Sequence, residues 1–198
     1  MNDNKIIISE KDKIYKYLKK LNFHKKETFD FENDGAFLKN KKNKEIVVTN
    51  DAILESVDFF KSDDPESIAQ KIVTYNLSDL SSMGVDPHSY TLSLCLTKNL
   101  NSEWLIRFTK KLLYLQKKYN FFLLGGDISK SRQLIISSNF YGYIKKKYII
   151  KRQFPRIGDT IWITGNIGDS YIGLLIKKNK LHFNKRFQKY FLDKYHYP

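Results

Sequence analysis

Four aspartates carry the chemistry that this sequence offers. Asp34 lies in a polar loop, Asp51 ends a β-branched run, Asp79 lies in a helical stretch and Asp127 follows two glycines. Carboxylates without His or Cys partners favour Mg²⁺ or another hard cation, which keeps positions for water and substrate phosphate. Several such aspartates together indicate several cations, hence a polyphosphate substrate and phosphoryl transfer, which depends on positioning and charge neutralisation.

The pattern contains no His or Cys that would serve as an obvious base. If the acceptor is itself a phosphate, its oxygen is already ionised near neutral pH, and no proton has to be removed. Gly125 and Gly126 would let backbone N–H groups approach phosphate oxygens. A Gly-Gly-Asp sequence alone is more often a plain turn. The loop of residues 165–168 is interpreted as structural, with Asp169 capping a helix.

A helix must position Asp79. Apolar residues recur at three- and four-residue steps between Pro65 and Gly84, with Asp64 as the N-cap. Asp79 then lies about four turns into the helix, near or on its buried side, where an isolated charge costs several kcal/mol. Taken alone, such a carboxylate is more often a structural group paired with Lys or backbone N–H groups. The three other aspartates shift the interpretation towards a metal site.

The remaining elements follow from hydrophobic periodicity and turn residues. A helix is expected within residues 1–22, with Ile14, Tyr17, Leu18 and Leu21 as its apolar stripe. A domain boundary is expected near residue 150. The other predicted strands cover residues 45–50, 89–97, 121–124, 133–144 and 160–164, and the other helices cover 103–119, 170–178 and 183–191.

The composition limits the classes of function that this protein can have. The 198 residues are 41% hydrophobic with a mean hydropathy of −0.48, and no run is long and apolar enough to span a bilayer. The N-terminus lacks the layout of a secretory signal, so we expect a cytoplasmic protein without a membrane partner. Cys95 is the single cysteine, which excludes an internal disulfide, and the four histidines have no zinc spacing.

The net charge of +14 makes a basic nucleic-acid-binding module the alternative from a different class. The positive charges are mostly lysines spread along the chain, dense only in residues 16–20, 39–44 and 145–151. Biased codon usage is the preferred explanation of this enrichment. A positive field also suits anionic small substrates, so no nucleic-acid partner is expected.

Six motifs in register resemble thiamine-monophosphate kinase, a family of the aminoimidazole-ribonucleotide-synthetase-like superfamily. Together they run through nearly all of residues 27–198. They are Asn33-Asp34-Gly35-Ala36; Thr49-Asn50-Asp51 with Glu55 and Asp58-Phe59; Asn76-Leu77-Ser78-Asp79-Leu80 with Met83-Gly84 and Pro87; Gly125-Gly126-Asp127-Ile128-Ser129-Lys130-Ser131; Arg152 with Gly158-Asp159; and Thr164-Gly165 with Gly168-Asp169-Ser170 and Gly173-Leu174.

The resemblance implies ATP-dependent, Mg²⁺-assisted phosphorylation of thiamine monophosphate to thiamine diphosphate by a homodimer. It implies an α/β (α+β) fold, with an N-terminal metal-binding, ATP-binding and dimerisation domain in residues 1–150, which has a mixed or antiparallel sheet, and the start of a second α/β domain in residues 151–198. It adds no catalytic residue beyond the metal and ATP ligands. The implied metal ligands are Asp34, Thr49, Asn50, Asp51, Asp79 and Asp127; the ATP contacts are Gly126, Asp127 and Arg152; Asp58 faces the substrate.

The sequence departs from the family pattern. Glu32-Asn33-Asp34 replaces Gly-Asp-Asp, Asn50 replaces Thr, and Asp58 replaces the usual His, which would repel a phosphate unless a cation intervenes. Family members extend well past this length, so we expect a truncated product that is inactive alone. Another ATP-using synthetase of the superfamily, acting on an amide or on selenide, is the nearer alternative; a selenide enzyme would need a reactive N-terminal Cys or selenocysteine, which this chain lacks.

Overall fold

The computed structural model describes residues 9–33 and 35–198. Its centre is a four-stranded sheet in the order β1-β4-β2-β3. Strand β4 pairs antiparallel with both β1 and β2, whereas β2 and β3 are parallel, as expected for strands joined by a crossover helix. The strands are β1 (Glu45–Leu54), β2 (Pro87–Thr97), β3 (Phe122–Ser131) and β4 (Ile135–Ile144).

Five α-helices accompany the sheet in the described chain. They are α1 (Glu10–Lys13), α2 (Pro65–Ser82), α3 (Ser102–Tyr119), α4 (Asp169–Lys177) and α5 (Lys185–His196). This mixed sheet with flanking helices confirms the predicted α/β (α+β) class.

Helices α2 and α3 cover one face of the sheet, because both bury an apolar stripe. Ile72 of α2 and Phe108 of α3 are fully buried, as are the sheet residues Leu92 and Phe140. Sheet residues that alternate with these point to the opposite face, where the apolar side chain of Val48 is 52% exposed. The sheet therefore has one face packed and one face that the described residues leave largely open.

The N-terminal helix is irregular. Residues 1–8 of the predicted helix lie outside the described residues. After α1 the chain continues through a π-helical turn (Ile14–Leu18) and a 3₁₀ turn (Lys19–Asn22). Tyr17, Leu18 and Leu21 are buried, which confirms that part of the predicted apolar stripe.

Three sequence expectations about local structure are wrong. The Gly125–Asp127 sequence is not a turn but lies inside β3, which continues to Ser131. Strand β1 likewise runs past Asp51 to Leu54, because β4 supplies a paired neighbour over the whole length. Residues 160–164 form no strand, since no other strand pairs with them in the described chain.

In the described chain no strand follows β4, and the region beyond the expected domain boundary is helical or irregular. Residues 151–168 contain no helix or strand, and α4 and α5 then pack on each other. The boundary near residue 150 stays a prediction. None of the described helices combines the length and apolar character needed to cross a membrane.

Candidate metal and nucleotide site

Asp51 is a half-buried residue whose carboxylate charge is not balanced. It lies on β1 on the same face as Thr49, directed towards α2. Its Oδ2 is buried and has no hydrogen-bond partner in the described residues. Burial, and then the negative charge of Asp79, raise the pKa of the Asp51 carboxyl. An inaccessible carboxylate oxygen without a donor is costly, and a bound cation would remove that cost.

Asp79 approaches Asp51 from the last turn of α2. It is exposed, so the expectation that it lies on the buried side of the helix is wrong. The buried positions are its neighbours Asn76 and Leu80. A carboxylate in the last turn faces the negative end of the helix dipole, and this turn of α2 contains no basic residue. Two carboxylates and a helix C-terminus thus concentrate negative potential here.

Thr49 is fixed rather than free. Its Oγ1 donates a hydrogen bond of 2.9 Å to Oδ1 of Asn76, and Asn76 Nδ2 donates to the carbonyl of Ile72 at 3.0 Å. Asn76 belongs to the motif that contains Asp79, but the sequence alone predicted no role for it. Its signal was a polar amide at a core-facing helix position, which needs a partner inside the protein. Asn76 holds β1 against α2 beside Asp51.

Asn50 does not join this group through its side chain. Strand alternation places it on the opposite face of the sheet, where its Nδ2 donates to Oδ1 of Asn139 at 2.8 Å. Asn139 in turn donates to the hydroxyl of Thr91 at 3.1 Å. The amide of Asn50 is therefore part of a polar network on the open face and lies away from Asp51.

Gly126 and Asp127 lie at the other edge of the sheet. Across the sheet, Asp51 pairs with Ser138 of β4, Ser138 pairs with Leu92 of β2, and Leu92 pairs with Gly126 of β3. Asp51 and Gly126 are therefore three strand spacings apart, a distance of about 14 Å. Asp127 is exposed, and its Oδ2 accepts a hydrogen bond of 2.7 Å from Ser129. In one chain, Asp51 and Asp127 therefore cannot bind the same ion.

A cleft of 460 Å³ opens beside this second edge. Its lining includes Asn33 and Gly35 of the N-terminal loop together with Gly125, Gly126 and Asp127. Asp34 lies outside the described residues, although its two neighbours line this cleft. The cleft joins the predicted loop motif to the predicted nucleotide-binding motif.

The two glycines of β3 differ in their surroundings. A Cβ at Gly126 would lie 1.8 Å from the carbonyl oxygen of Leu92, so glycine is required there by the approach of β2. A Cβ at Gly125 would meet nothing within 4 Å. The backbone at Gly125 is therefore open to a phosphate group, whereas Gly126 is needed for the packing of β3 against β2.

Asp58 closes the turn that follows β1. Its Oδ2 accepts a hydrogen bond of 2.8 Å from the backbone N–H of Leu54. Its carbonyl accepts one of 3.1 Å from Nζ of Lys71, a buried lysine. Burial lowers the pKa of Lys71 to about 8. Burial, and then the negative charges of Asp58 and Asp51, raise the pKa of Tyr75, so the Asp58 turn borders the Asp51 group.

Arg152 is exposed in the segment without regular structure. Two residues earlier, the N–H of Ile150 donates a hydrogen bond of 3.2 Å to the carbonyl of Met83, just after α2. This contact anchors the segment at the end of the helix that carries Asp79. Arg152 therefore follows a contact on the Asp79 side of the molecule, and its role as an ATP contact stays a prediction.

The structure does not bring all the predicted metal ligands together. Among the described residues, no three His, Cys, Asp or Glu side chains form a group able to hold a metal ion. The described members of the predicted set therefore form no complete cation site within one chain, and the single site that they were expected to build stays a prediction. The paired carboxylates of Asp51 and Asp79 fit a hard cation that takes its other ligands from water and phosphate.

Comparison with known proteins agrees with this fold. The mixed sheet and its carboxylate pair define an α/β protein with a candidate site for a hard cation. Residues 32–144 match the family described as AIR synthase related protein, N-terminal domain. The chain belongs to this AIR synthase related family.

Individual relatives are thiamine-monophosphate kinases. The chain is 36% identical over 166 residues to that enzyme of Buchnera aphidicola subsp. Acyrthosiphon pisum, and 37% identical over 166 residues to that of the subspecies Schizaphis graminum. Each match covers 83% of this chain and 51% of the relative.

A solved structure, AaThiL complexed with AMPPCP and TMP, superimposes with a TM-score of 0.73 at 27% identity, covering 83% of this chain and 52% of the other. The chain thus spans about half the length of the relatives that it matches.

Proposed function

We propose that this chain supplies the N-terminal half of a kinase that transfers the γ-phosphate of ATP to thiamine monophosphate. The observation that carries the proposal is the buried, unpartnered Oδ2 of Asp51 beside Asp79. The named activity of the Buchnera relatives, and the ligands of the AaThiL structure, supply the substrate class. We further propose that the reaction belongs to thiamine diphosphate biosynthesis in the cytoplasm.

Asp51 and Asp79 would hold Mg²⁺, with Asp34 and Asp127 as the further ligands. Mg²⁺ at this position would neutralise the charge that develops on the transferred phosphoryl group. The backbone at Gly125 and Gly126 and the fork of Arg152 would contact the phosphates of ATP. The acceptor is a phosphate oxygen, so none of these residues has to act as a base.

The proposed site requires a second copy of the chain. Asp51 and Asp127 are separated by about 14 Å across the sheet, and β1 and β3 are its two edges. A homodimer in which the β1 edge of one copy meets the β3 edge of the other would bring the two carboxylates towards each other. Exposed Ile46 and Val48 on β1 would be buried in this interface.

The test is binding of a non-hydrolysable ATP analogue with and without Mg²⁺, measured by isothermal titration calorimetry. We expect Mg²⁺-dependent binding that Asp79→Ala or Asp127→Ala abolishes, while Asp193→Asn, an exposed control on α5, retains it. Unchanged affinity in both Ala variants contradicts the proposal.

The same variants discriminate the nucleic-acid alternative. A basic module would bind DNA or RNA with a steep salt dependence that survives Asp79→Ala. No contact in the described structure favours that function over the kinase.

A further inference from the structure

Two of the lysine-dense runs meet at one end of the sheet. Residues 39–44 lead into β1, and residues 145–151 follow β4. The first residue of β1, Glu45, pairs with the last residue of β4, Ile144, so both runs start from the same end of this strand pair. Biased codon usage accounts for the number of lysines but not for their convergence at one place in the fold. Positive charges that gather in this way attract an anion.

His88 lies at this end of the sheet, in a β-bulge of β2. Its neighbours Pro87 and Ser89 pair with successive residues of β4, so His88 is one extra residue in the β2–β4 ladder. A bulge bends its strand and redirects a side chain, and bulges are frequent beside functional sites. The half-buried His88 ring packs on the ring of Tyr143, with the two centroids 5.0 Å apart.

Two lysines flank the rings that contact His88. The centroid of the Phe122 ring lies 5.2 Å from that of His88, and Nζ of Lys25 lies 5.6 Å from the Phe122 centroid. Nζ of Lys41 lies 4.2 Å from the centroid of the Tyr143 ring. Within the described residues, neither lysine forms an ion pair with a carboxylate. Both ammonium groups are therefore available to an anion.

The segment that carries Lys41 is fixed to the rest of the domain through Lys39. The Nζ of Lys39 lies 3.0 Å from Oε1 of Glu27, whose side chain is 9% exposed. The carbonyl of Lys39 accepts a hydrogen bond of 2.7 Å from the hydroxyl of Tyr143. These two contacts hold the loop before β1 against the sheet, so the cations around His88 belong to a built arrangement.

The charges around His88 are not balanced. Burial, and then the positive charge of Lys41, lower the pKa of the His88 imidazole. Lys25 and Lys39 act in the same direction, whereas the negative charge of Glu27 opposes them. Three lysines and one glutamate thus act on this ring, and their charges leave an excess of two positive charges. A bound dianion would neutralise that excess.

The His88 ring also offers a hydrogen-bond donor. Its Nδ1 lies 3.1 Å from the hydroxyl of Ser89, which is fully buried. Its Nε2 has no hydrogen-bond partner within the part of the chain that the structure describes. A neutral imidazole that accepts the Ser89 hydrogen at Nδ1 carries its own proton on Nε2. That N–H can donate to an anion without any change in the charge of the ring.

We propose that His88, Lys25 and Lys41 form a binding site for a phosphate dianion, either free or as a phosphate monoester. The phosphate oxygens accept hydrogen bonds from Nε2–H of His88 and from the two ammonium groups, and the charge of the dianion matches the local excess. The site is separate from the candidate cation site. Tyr143 pairs with Ile46 on the open face of the sheet, whereas Asp51 is directed towards α2.

The test is a titration of the 198-residue chain with inorganic phosphate near neutral pH, at constant ionic strength and without Mg²⁺ or ATP. The imidazole signals are followed by nuclear magnetic resonance, and His88→Asn identifies the His88 signals among those of the four histidines. We expect saturable shifts of the His88 signals. A parallel titration with glycerol 3-phosphate separates the two sources of the dianion, because the natural form of the ligand should bind more tightly.

Two variants test the cations. Lys25→Gln and Lys41→Gln should each weaken phosphate binding about tenfold, because each removes one charged donor. The melting temperature should stay unchanged, since neither lysine forms an ion pair in the described structure. Lys189→Gln removes the same charge from an exposed position of α5 and is the matched control, which should bind phosphate as the wild type does.

Sulfate provides a second readout, because it stays a dianion over the whole range in which histidine titrates. Saturating sulfate should raise the pKa of His88 by about one unit, since a nearby dianion favours the protonated ring. Lys41→Gln should reduce this rise, because it weakens the binding of the dianion. Lys189→Gln should leave the rise unchanged.

Three results overturn the inference. They are His88 signals that phosphate leaves unchanged, a phosphate affinity that both lysine variants reduce no more than the control variant does, and His88 signals that respond to a single-stranded oligonucleotide but not to phosphate. None of these measurements involves Mg²⁺ or ATP. Failure of the proposed kinase function therefore leaves their outcome unchanged, and the two proposals can fail separately.

Discussion

Asp51 and Asp63 each have a carboxylate oxygen that is inaccessible to solvent, and the surroundings of the two carboxylates are opposite. The Asp63 side chain has no solvent exposure and lies 2.7 Å from Nζ of Lys177 and 3.4 Å from Nε2 of His196. Its Oδ2 accepts hydrogen bonds from the N–H of Phe60 and the hydroxyl of Tyr195, whereas its buried Oδ1 accepts no hydrogen bond and is balanced by the two ion pairs alone. Burial opposes ionisation of Asp63, but the His196 and Lys177 contacts outweigh it and hold its pKa well below the usual range.

Asp51 has none of these partners in the described residues, and burial raises the pKa of its carboxyl. A carboxylate that serves stability is surrounded by built-in cations and donors, as Asp63 is. A carboxylate that leaves its charge unbalanced costs stability, and such a cost persists at binding and catalytic sites. We therefore propose that Asp63 serves the architecture and that Asp51 serves the cation site.

The largest expected effect is on stability at Asp63. Asp63→Asn should lower the free energy of unfolding by about 3–5 kcal/mol, because it leaves the ammonium group of Lys177, whose side chain is only 20% exposed, without its partner. Urea denaturation followed by circular dichroism measures this change. A loss below about 1 kcal/mol would mean that the cluster is no more than a surface ion pair.

Asp51→Asn should behave in the opposite way. Without Mg²⁺, its stability should equal or slightly exceed that of the wild type, because a destabilising charge is removed. With Mg²⁺ and an ATP analogue at 100 times the dissociation constant, the wild type should gain about 2.7 kcal/mol, and Asp51→Asn should gain nothing. Thermal unfolding without the ligands measures the intrinsic stability, and thermal unfolding with them measures the stabilisation by ligand. Equal stabilisation of the wild type and Asp51→Asn would contradict the assignment.

The two carboxylates should also impose opposite pH dependences. Asp63 has a lowered pKa, so its stabilising contribution is present above its unfolded value of about 4 and is lost as the pH falls below that value. Asp51 has a raised pKa, so stability is lost as the pH rises from about 4 through the folded value. Between pH 3 and pH 7, the melting temperature of the wild type should fall over the range in which Asp51 ionises. The melting temperature of Asp51→Asn should not show this fall.

Lys71 extends the comparison to a buried cation. Its Nζ lies 3.5 Å from the centre of the Tyr195 ring, and burial lowers its pKa to about 8. The folded state therefore holds this proton less tightly than the unfolded state, and stability should rise as the pH increases from about 8 to 10.5. In Lys71→Met, the free energy of unfolding should rise less between pH 8 and pH 10 than in the wild type, as measured by urea denaturation. An equal rise in both proteins would contradict the assignment of this pH dependence to Lys71.

The smallest expected effect is at Thr49. Thr49→Val removes the hydroxyl that donates to Asn76 and should cost about 1 kcal/mol. Thr49→Ser keeps the hydroxyl and serves as the control. A Thr49→Val protein as stable as Thr49→Ser would show that the Asn76 contact does not hold β1 to α2.

Sequence patterns predicted the elements that form around local periodicity. Helix α2 was predicted to begin at Pro65 and does so, and β2 differs from its prediction by two residues at one end. Such elements depend on their own apolar stripe, which is written in the residues themselves. The errors arose where a distant strand decides the outcome: β4 extends β1 beyond Asp51, and β2 draws Gly126 into β3.

The site was predictable in its residue types but not in its arrangement. A sequence gives no strand order, so it could not show that β1 and β3 are the two edges of one sheet. It also could not show that Asn50 faces away from Asp51, because that depends on strand alternation relative to the buried face. The raised pKa of Asp51 follows from burial, which only the packed structure supplies.

The most direct test of the account is cation binding at Asp51, followed by electron paramagnetic resonance with Mn²⁺ in place of Mg²⁺ and an ATP analogue present. We expect the wild type and Asp193→Asn to bind Mn²⁺ with equal affinity, and Asp51→Asn to lose at least about tenfold in affinity. If Asp51→Asn binds Mn²⁺ as tightly as the wild type, Asp51 is not a metal ligand and the central claim is contradicted.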